Sequence, residues 1–598
     1  NADFAKPNGF VGMITIPNWM FLSSFEEVRK TLFGHQTIDT FIHNGRGVFG
    51  SDFGSCSFVL RNQGVSEYRG TFRRLFEKQG SVAGNEELEQ RFHTATNCTP
   101  SNAAFSKIPG SPVAYWVSEA MRNSFTDAVS LGEYGDLRQG LSTADDTRFV
   151  RYWHEVNVAN SNCMLVGTAT VTQQDIKWYA LAKGGELRRW YGNLRHVINW
   201  ANNGKELNAA ANSDADSGRA YLRNSEYYFR PGATWSRVSI ALPSFRLLPA
   251  GCIFSDVAPT VFSDVEKLYP LIAFLNSNLI IRFLEILSPS THFEIGQLQA
   301  VPINKTALSQ AKSASRLIAI AKQDWISFET SWEFQTLLVV QQKAATLQES
   351  QKAADAEYLS RWQQMKELEE ENNRLFINSY GLDAELSPEV PDEQITLYRP
   401  DGAEDVKRLL SYLLGCAMGR FSLDKPGLIY AHSGNVCFDP TQYKTFPADA
   451  AGIVPLLEID WGIPDDAVNR VVEFVGTVWP KESLEANLRF LADSLEPKKS
   501  EPARDTIRRY LATGFYKDHL RWYKRRPIYW LFSSGRERAF QALVYLHRYH
   551  EGTLARMRTE YVIPLQSKVV ARIEQLDGDI AQATSTAHRR KLQKEQDD

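Results

Sequence analysis

"DFAKPNGFVGMITIPNWMFLSSFEEVRKTLF", residues 3–33, decides where in a fold this chain begins. Lys6-Pro7-Asn8-Gly9 is turn chemistry, Phe10 to Ile16 is an apolar run, and Pro17-Asn18 is a second turn. Leu22, Phe25, Val28 and Leu32 then recur at helical spacing. The pattern predicts a buried strand followed by an amphipathic helix. A short, continuously apolar strand needs sheet neighbours on both sides and cover on both faces. Nothing precedes it here to act as a neighbour. There is no initiator Met, and Asn1-Ala2 has the look of a cleaved-tag remnant. The expectation is a piece of a longer protein that starts inside a domain.

Further along, "TIDTFIH" (37–43) and "SCSFVLR" (55–61) read as two more strands around the glycine-rich "GRGVFG" (45–50). That loop has the spacing of a dinucleotide fingerprint. The fingerprint, however, needs a helix to start at the loop so that its N-terminus can hold phosphates. A turn and a strand follow instead, so a hairpin is expected. "FDPTQY" (438–443) shares only Asp-Pro with a methyltransferase catalytic motif, and it reads as a turn.

The chain has 598 residues, enough for several domains at ~100–200 residues each. Its six cysteines are scattered, with no paired spacing and no histidine at ligand distance beside them, which argues against a disulfide framework or a metal site. No apolar stretch reaches the ~20 residues of a membrane span, and a cytoplasmic setting is expected. A formal net charge of −3 excludes a uniformly basic nucleic-acid coat but not local basic faces. Two such faces stand out. Residues 177–196 carry five Lys/Arg against one Glu, among Trp178, Tyr179, Trp190 and Tyr191. Residues 504–526 carry eight Lys/Arg against two Asp, among Tyr510, Phe515, Tyr516, Trp522 and Tyr523.

Residues 105–303 are irregular and aromatic-rich, ending in the apolar pair "LYPLIAFLNSNLIIRFLEIL" (268–287). Residues 306–380 read as largely helical, with Tyr358, Trp362, Met365 and Leu368 on one face of a long spacer. After "SPEVPDE" comes an α-rich region, then a charged tail.

Several blocks, taken in order, carry a resemblance: "KPNGFVGMITIPNWMFLSSFEEVRKTLF", "IPGSPVAYWVSE", "RQGLSTADDTRFVRYWHEV", "KWYALAKGGELRRWYGN", "GCAMGRFSLDKPGLIYA", "KRRPIYWLFSS" and "AFQALVYLHRY". Together they resemble the PglX family, the adenine-specific DNA methyltransferases of BREX phage-defence systems, which are related in layout to type IIG restriction-modification enzymes. The resemblance implies a multidomain α/β and α+β fold. Residues 3–100 would be the C-terminal part of a Rossmann-like methyltransferase sheet plus a connector. Residues 101–305 would be a target recognition domain, opened by "QGLSTADDTRF" and closed by the helix pair at Asn276-Ser277 and a strand at Pro302. Residues 306–380 would be a helical spacer, 381–565 an α-rich C-terminal domain and 566–598 a charged helical tail.

The family's S-adenosylmethionine loop and its Asn-Pro-Pro-Tyr loop would lie upstream. No catalytic, cofactor-binding or metal-ligating residue is therefore assigned in this chain, and it is expected to bind no cofactor alone. Double-stranded DNA is the implied partner, other BREX proteins are further expected ones, and a membrane is not.

The residues expected to meet DNA are Lys177, Lys183, Arg188, Arg189 and Arg195, then Arg230, Arg237 and Arg246, with Arg223 on the same face, and Lys517, Lys524 and Arg525. Arginine can pair with guanine edges, and both cations neutralise phosphate. Gly184, Gly185 and Gly192 would let a ligand approach the backbone closely. For both segments the alternative is that the aromatics are core and the cations a solvated face. His519, His547 and His550 are expected to be packing or surface residues. Competing functions are a free-standing DNA-specificity module and a protein-interaction scaffold.

Overall fold

Phe10–Thr15 forms β1, followed by the Glu26–His35 helix, β2 (Thr37–Arg46), β3 (Gly54–Arg61) and β4 (Thr71–Arg74). The computed structural model describes residues 4–48, 53–76, 84–126, 128–167, 176–211, 220–239, 242–287 and 292–597. The sheet order is β1-β3-β2-β4. β3 runs antiparallel to both β1 and β2, and β4 runs parallel to β2. "GRGVFG" leaves β2 and returns as β3, with Arg46 opposite Gly54. It belongs to a hairpin as expected, and its Phe49 and Gly50 lie outside the described residues.

The period-two alternation of β1 turns Val11 and Met13 toward the core of this layer, built from Phe41, Phe58, Phe72, Phe105 and Tyr115. The expectation of a fully buried strand is corrected here. Among the described residues β1 is an edge strand and no second layer covers its outer face, so Phe10 and Ile14 are each 60% exposed. The helix is corrected too. Leu22, Phe25 and Val28 are exposed, and the buried residue is Arg29. Its guanidinium donates to the carbonyls of Trp19, Leu22 and Gly110, so three backbone acceptors anchor the helix where an apolar stripe was expected.

The central region holds β5 (Val129–Ser130), β6 (Asp136–Arg138), β7 (Val150–Tyr152), β8 (Trp178–Ala182), β9 (His196–Asn199), β10 (Gly232–Trp235), β11 (Phe245–Leu248), β12 (Ile253–Phe254), β13 (Thr260–Phe262) and β14 (Pro302–Ile303). They build two four-stranded sheets, β11-β10-β13-β6 and β12-β8-β9-β7. Strands this short carry little periodicity, which is why the sequence looks irregular. β14 pairs back onto β5, so Pro302 sits opposite Ser130 and ties the end of the region to its beginning. Gly140 is required by close packing, since a Cβ there would lie 1.9 Å from the Phe254 carbonyl oxygen.

The Val265–Leu275 and Asn278–Leu287 helices meet at 77° and are packed in this core. Between them Asn276 clamps β11, accepting from the Phe245 amide at 3.0 Å and donating to its carbonyl at 2.9 Å. Among the described residues no single helix is long and apolar enough to cross a membrane.

The Leu347–Ser379 helix, 33 residues long, starts at a capping box between Thr346 and Glu349. Tyr358, Trp362, Met365 and Leu368 are buried along it as the spacing predicted. It serves less as a spacer than as a beam. Leu347, Ala354 and Tyr358 belong to the C-terminal core, while Trp362, Met365 and Phe376 belong to the central one.

The C-terminal region is helical around the buried Gly402–Ala417 helix but also contains a sheet, β15 (Ile453–Pro455), β16 (Tyr529–Ser533) and β17 (Gln541–Tyr545), in the order β15-β17-β16. The tail folds as two helices, Ile563–Gln582 and Thr586–Asp597, held together by Leu576, Ala583 and Leu592.

Candidate nucleic-acid interface

After β8 the chain turns through residues 183–195 before re-entering the sheet as β9. Gly184, Gly185 and Gly192 take left-handed φ values of +69°, +131° and +127°. A Cβ on Gly192 would meet Arg188 Nε at 2.5 Å and Trp325 at 2.8 Å. One on Gly185 would meet Asn193 at 2.8 Å. The close approaches expected for a ligand are thus made by the protein's own side chains.

Trp190 and Tyr191 are buried, and Trp178 partly so. The Trp190 indole donates to Glu369 Oε1 at 2.5 Å, and the Tyr191 hydroxyl donates to Glu333 at 2.6 Å. Burial drives the phenol of Tyr191 and the carboxyl of Glu369 upward from their ordinary ranges.

The arginines of this turn divide by what they touch. Arg188 donates to Asp324 at 2.8 Å and to the carbonyls of Ala321 and Thr396. Arg189 is 2% exposed and pairs with Glu369, itself 2% exposed. Arg246 is 1% exposed and donates to the Arg188 carbonyl at 3.1 Å and to Ser236 and Ser244. Burial pushes the Arg246 guanidinium down to about 10.

Arg188, Arg189 and Arg246, expected to meet DNA, make internal contacts in this structure. The donors of Arg188 and Arg189 serve the junction with residues 324–396, those of Arg246 hold the Arg188 carbonyl and two serines, and Arg189 and Arg246 are buried. Arg195 lies partly buried over the Trp325 ring at 5.3 Å.

The remaining expected contacts sit nearer solvent. Lys177 is exposed beside the Trp178 ring, Arg230 is exposed beside Tyr227, and Arg237 approaches Glu294 at 3.9 Å. Arg223 bonds Gln139 at 2.9 Å, and Lys183 is ion-paired with Asp146.

In the second segment Tyr510, Phe515 and Tyr523 are core, while Tyr516 and Trp522 pack partly against it. Most of its cations are already paired: Arg504 with Glu485, Arg508 with Asp466, Arg509 with Glu501, and Arg521 with Glu404. Lys517 and Arg525 are exposed and make no ion pair among the described residues. Lys524 pairs with Glu186 at 2.6 Å, and Arg526 approaches Glu155 at 4.0 Å. Arg526 was not singled out from the sequence, although the run Lys524-Arg525-Arg526 carried the signal.

Histidines fasten the same junction. His154 Nε2 donates to the Arg526 carbonyl at 2.9 Å, and His547 Nε2 donates to the His154 carbonyl at 2.7 Å. His519 Nε2 accepts from the amides of Ile528 and Tyr529, so its ring is neutral, and burial holds its pKa well below the usual range. The two basic segments, more than 300 positions apart, are thereby brought to one surface.

No protein-family model matches the chain. It is 38% identical, over 99% of its length, to the adenine-specific methyltransferase BrxX of Escherichia coli O9:H4 (strain HS). It is 36% identical, over 96% of its length, to the adenine-specific methyltransferase PglX of Lacticaseibacillus casei (strain Zhang). The chain is a homologue of the PglX methyltransferases. That agrees with the resemblance carried by its sequence blocks.

The homologous chain spans about half the length of these relatives, 50% of the first and 48% of the second. Solved structures similar to part of it include the type IIL restriction-modification enzyme MmeI in complex with DNA, 8% identical with a TM-score of 0.37 over 64% of this chain and 48% of that one. Another is the type IIG restriction endonuclease BpuSI, 11% identical with a TM-score of 0.21 over 54% and 43%.

Proposed function

We propose that this chain is the DNA-recognising, C-terminal half of a site-specific adenine-N6 DNA methyltransferase of a BREX phage-defence system. Residues 101–305 choose the sequence, and the beam and C-terminal domain hold them against the duplex. The S-adenosylmethionine site and the loop that grips the adenine, rotated out of the duplex for chemistry, belong to the part of the longer relatives that this chain does not span. The observation that carries the reading is the open edge of β1. β1 and β2 run the same way on either side of the reversed β3, as at one end of a Rossmann-like methyltransferase sheet. Phe10 and Ile14 lie uncovered on a strand whose outer edge has no partner among the described residues.

DNA contact falls to the outward cations Lys177, Arg230, Lys517, Lys524 and Arg525, which neutralise phosphate, while base reading lies in the loops of residues 105–303. Calorimetry tests the division of labour. The chain alone is expected to take up no S-adenosylmethionine yet to shift duplex DNA at low salt. Stoichiometric micromolar cofactor binding would overturn it.

A further inference from the structure

The chain leaves β9 through a turn that side chains ordinarily avoid. Asn202, Asn203 and Gly204 lie in succession in the left-handed region, at φ/ψ of 50°/47°, 56°/41° and 72°/29°. Gly204 is fixed by packing, since a Cβ there would lie 2.6 Å from the Trp200 ring. The two asparagines are not. Glycine takes this conformation freely, whereas an L side chain crowds the following carbonyl, and asparagine enters it with the help of a local side-chain hydrogen bond. That help is missing here. Both side chains are exposed, and neither amide makes a hydrogen bond among the described residues.

The backbone beneath them is held from both sides. The Trp200 amide donates to the Lys177 carbonyl at 2.9 Å, and the Trp200 ring is buried edge-on to Tyr228 at 5.3 Å. The Ala201 amide donates to the Asn199 side chain at 3.3 Å, and the Asn208 side chain donates to the Asn203 carbonyl at 3.3 Å. Two free carboxamides are thus presented to solvent on a strained turn that its surroundings impose, the kind of conformation that clusters at functional sites. Cations flank them. Lys177 and Lys205 are exposed and make no ion pair among the described residues, while the nearby Glu206 is engaged by Asn199 at 3.3 Å. Cations that hold phosphate on either side of neutral hydrogen-bonding groups are the layout of base readout. A carboxamide offers one donor beside one acceptor, which matches N7 and the N6 amino group of adenine in the major groove.

We propose that the Asn202-Asn203 turn reads an adenine of the recognition sequence, one of its carboxamides pairing with N7 and N6 while Lys177 and Lys205 hold the flanking phosphates. The inference rests on the proposed function and names the element within residues 105–303 that does the reading.

Selection of duplexes from a random-sequence pool by the whole chain, followed by competition binding, tests it. Asn202→Gly and Asn203→Gly are the informative variants, because glycine takes the same backbone without strain and melting curves verify the fold. At least one of them is expected to weaken the selected duplex by about ten- to a hundredfold and to lose the preference at one A·T position. Duplexes already mismatched at that position should bind both proteins alike. Placing 7-deazaadenine there removes the N7 acceptor, and is expected to weaken the wild type and leave the glycine variant unchanged. A selected sequence that both glycine variants keep at every position overturns the inference and leaves the proposed function standing. Equal loss on all duplexes also overturns it and makes the turn a backbone contact, as does a 7-deazaadenine effect of the same size in wild type and variant. A wild-type pool with no enriched sequence overturns the inference and the proposed function together.

Discussion

Lys524 Nζ lies 2.6 Å from Glu186 Oε1, joining residues 338 positions apart. Both side chains are exposed, at 44% and 70%, so the pair contributes only about 0–1 kcal/mol to stability. Its weight lies in position. It is where the basic turn after β8 touches the basic segment of the C-terminal domain, and on the proposed function it lies on the path of a DNA backbone.

A free Lys524 serves phosphate better than a paired one. Glu186→Gln is expected to raise duplex affinity at low salt and to steepen the log–log salt dependence by about 0.9, whereas Lys524→Ala flattens it by about 0.9. Fluorescence anisotropy across a salt series measures both. Identical slopes in the two variants would remove Lys524 from the DNA path.

Arg189 should behave as a structural residue. Arg189→Met leaves Glu369 buried without its cation and is expected to cost about 3–5 kcal/mol in denaturant unfolding. Duplex affinity of the remaining folded protein should stay within about twofold, a difference well under 1.4 kcal/mol. Loss of discrimination at a single base pair by a stably folded variant would restore it as a reader.

The outward cations should act in the opposite way. Lys177→Ala, Lys517→Ala and Arg525→Ala are each expected to leave the melting temperature almost unchanged and to weaken cognate and mismatched duplexes in equal ratio. Competition binding with single-mismatch duplexes separates this uniform effect from sequence reading.

The histidine junction predicts acid sensitivity. Burial, chiefly, lowers His154 to about 3 and His547 to about 4, against an ordinary 6.5. The native rings stay neutral while the unfolded chain takes up protons. Their contribution is complete above 6.5 and is lost as pH falls toward 4, at about 1.4 kcal/mol per pH unit for each ring. His154→Asn should reduce the slope of unfolding free energy between about pH 6 and 5 by about one proton. Urea titrations at both pH values measure it, and an unchanged slope would sink the assignment.

Much of the architecture was legible in the residues themselves. Turn chemistry at Lys6–Gly9 and Pro17-Asn18 marks the ends of β1, "GRGVFG" reads correctly as a hairpin, and Tyr358, Trp362, Met365 and Leu368 announce the buried stripe of the long helix. These features depend on backbone hydrogen bonds and side-chain periods within a few positions of each other, which a sequence displays directly.

Which face of the Glu26–His35 helix is buried, and which arginines look outward, were decided only by the tertiary structure. Arg29 displaces the apolar stripe because a carbonyl from Gly110, 81 positions away, completes its anchorage. Arg188 and Arg189 sit side by side in a basic run, yet their partners Asp324 and Glu369 lie 136 and 180 positions downstream. A run of charge fixes how many cations a surface can offer. Whether each is solvated or paired depends on carboxylates and carbonyls that only folding brings within hydrogen-bond range.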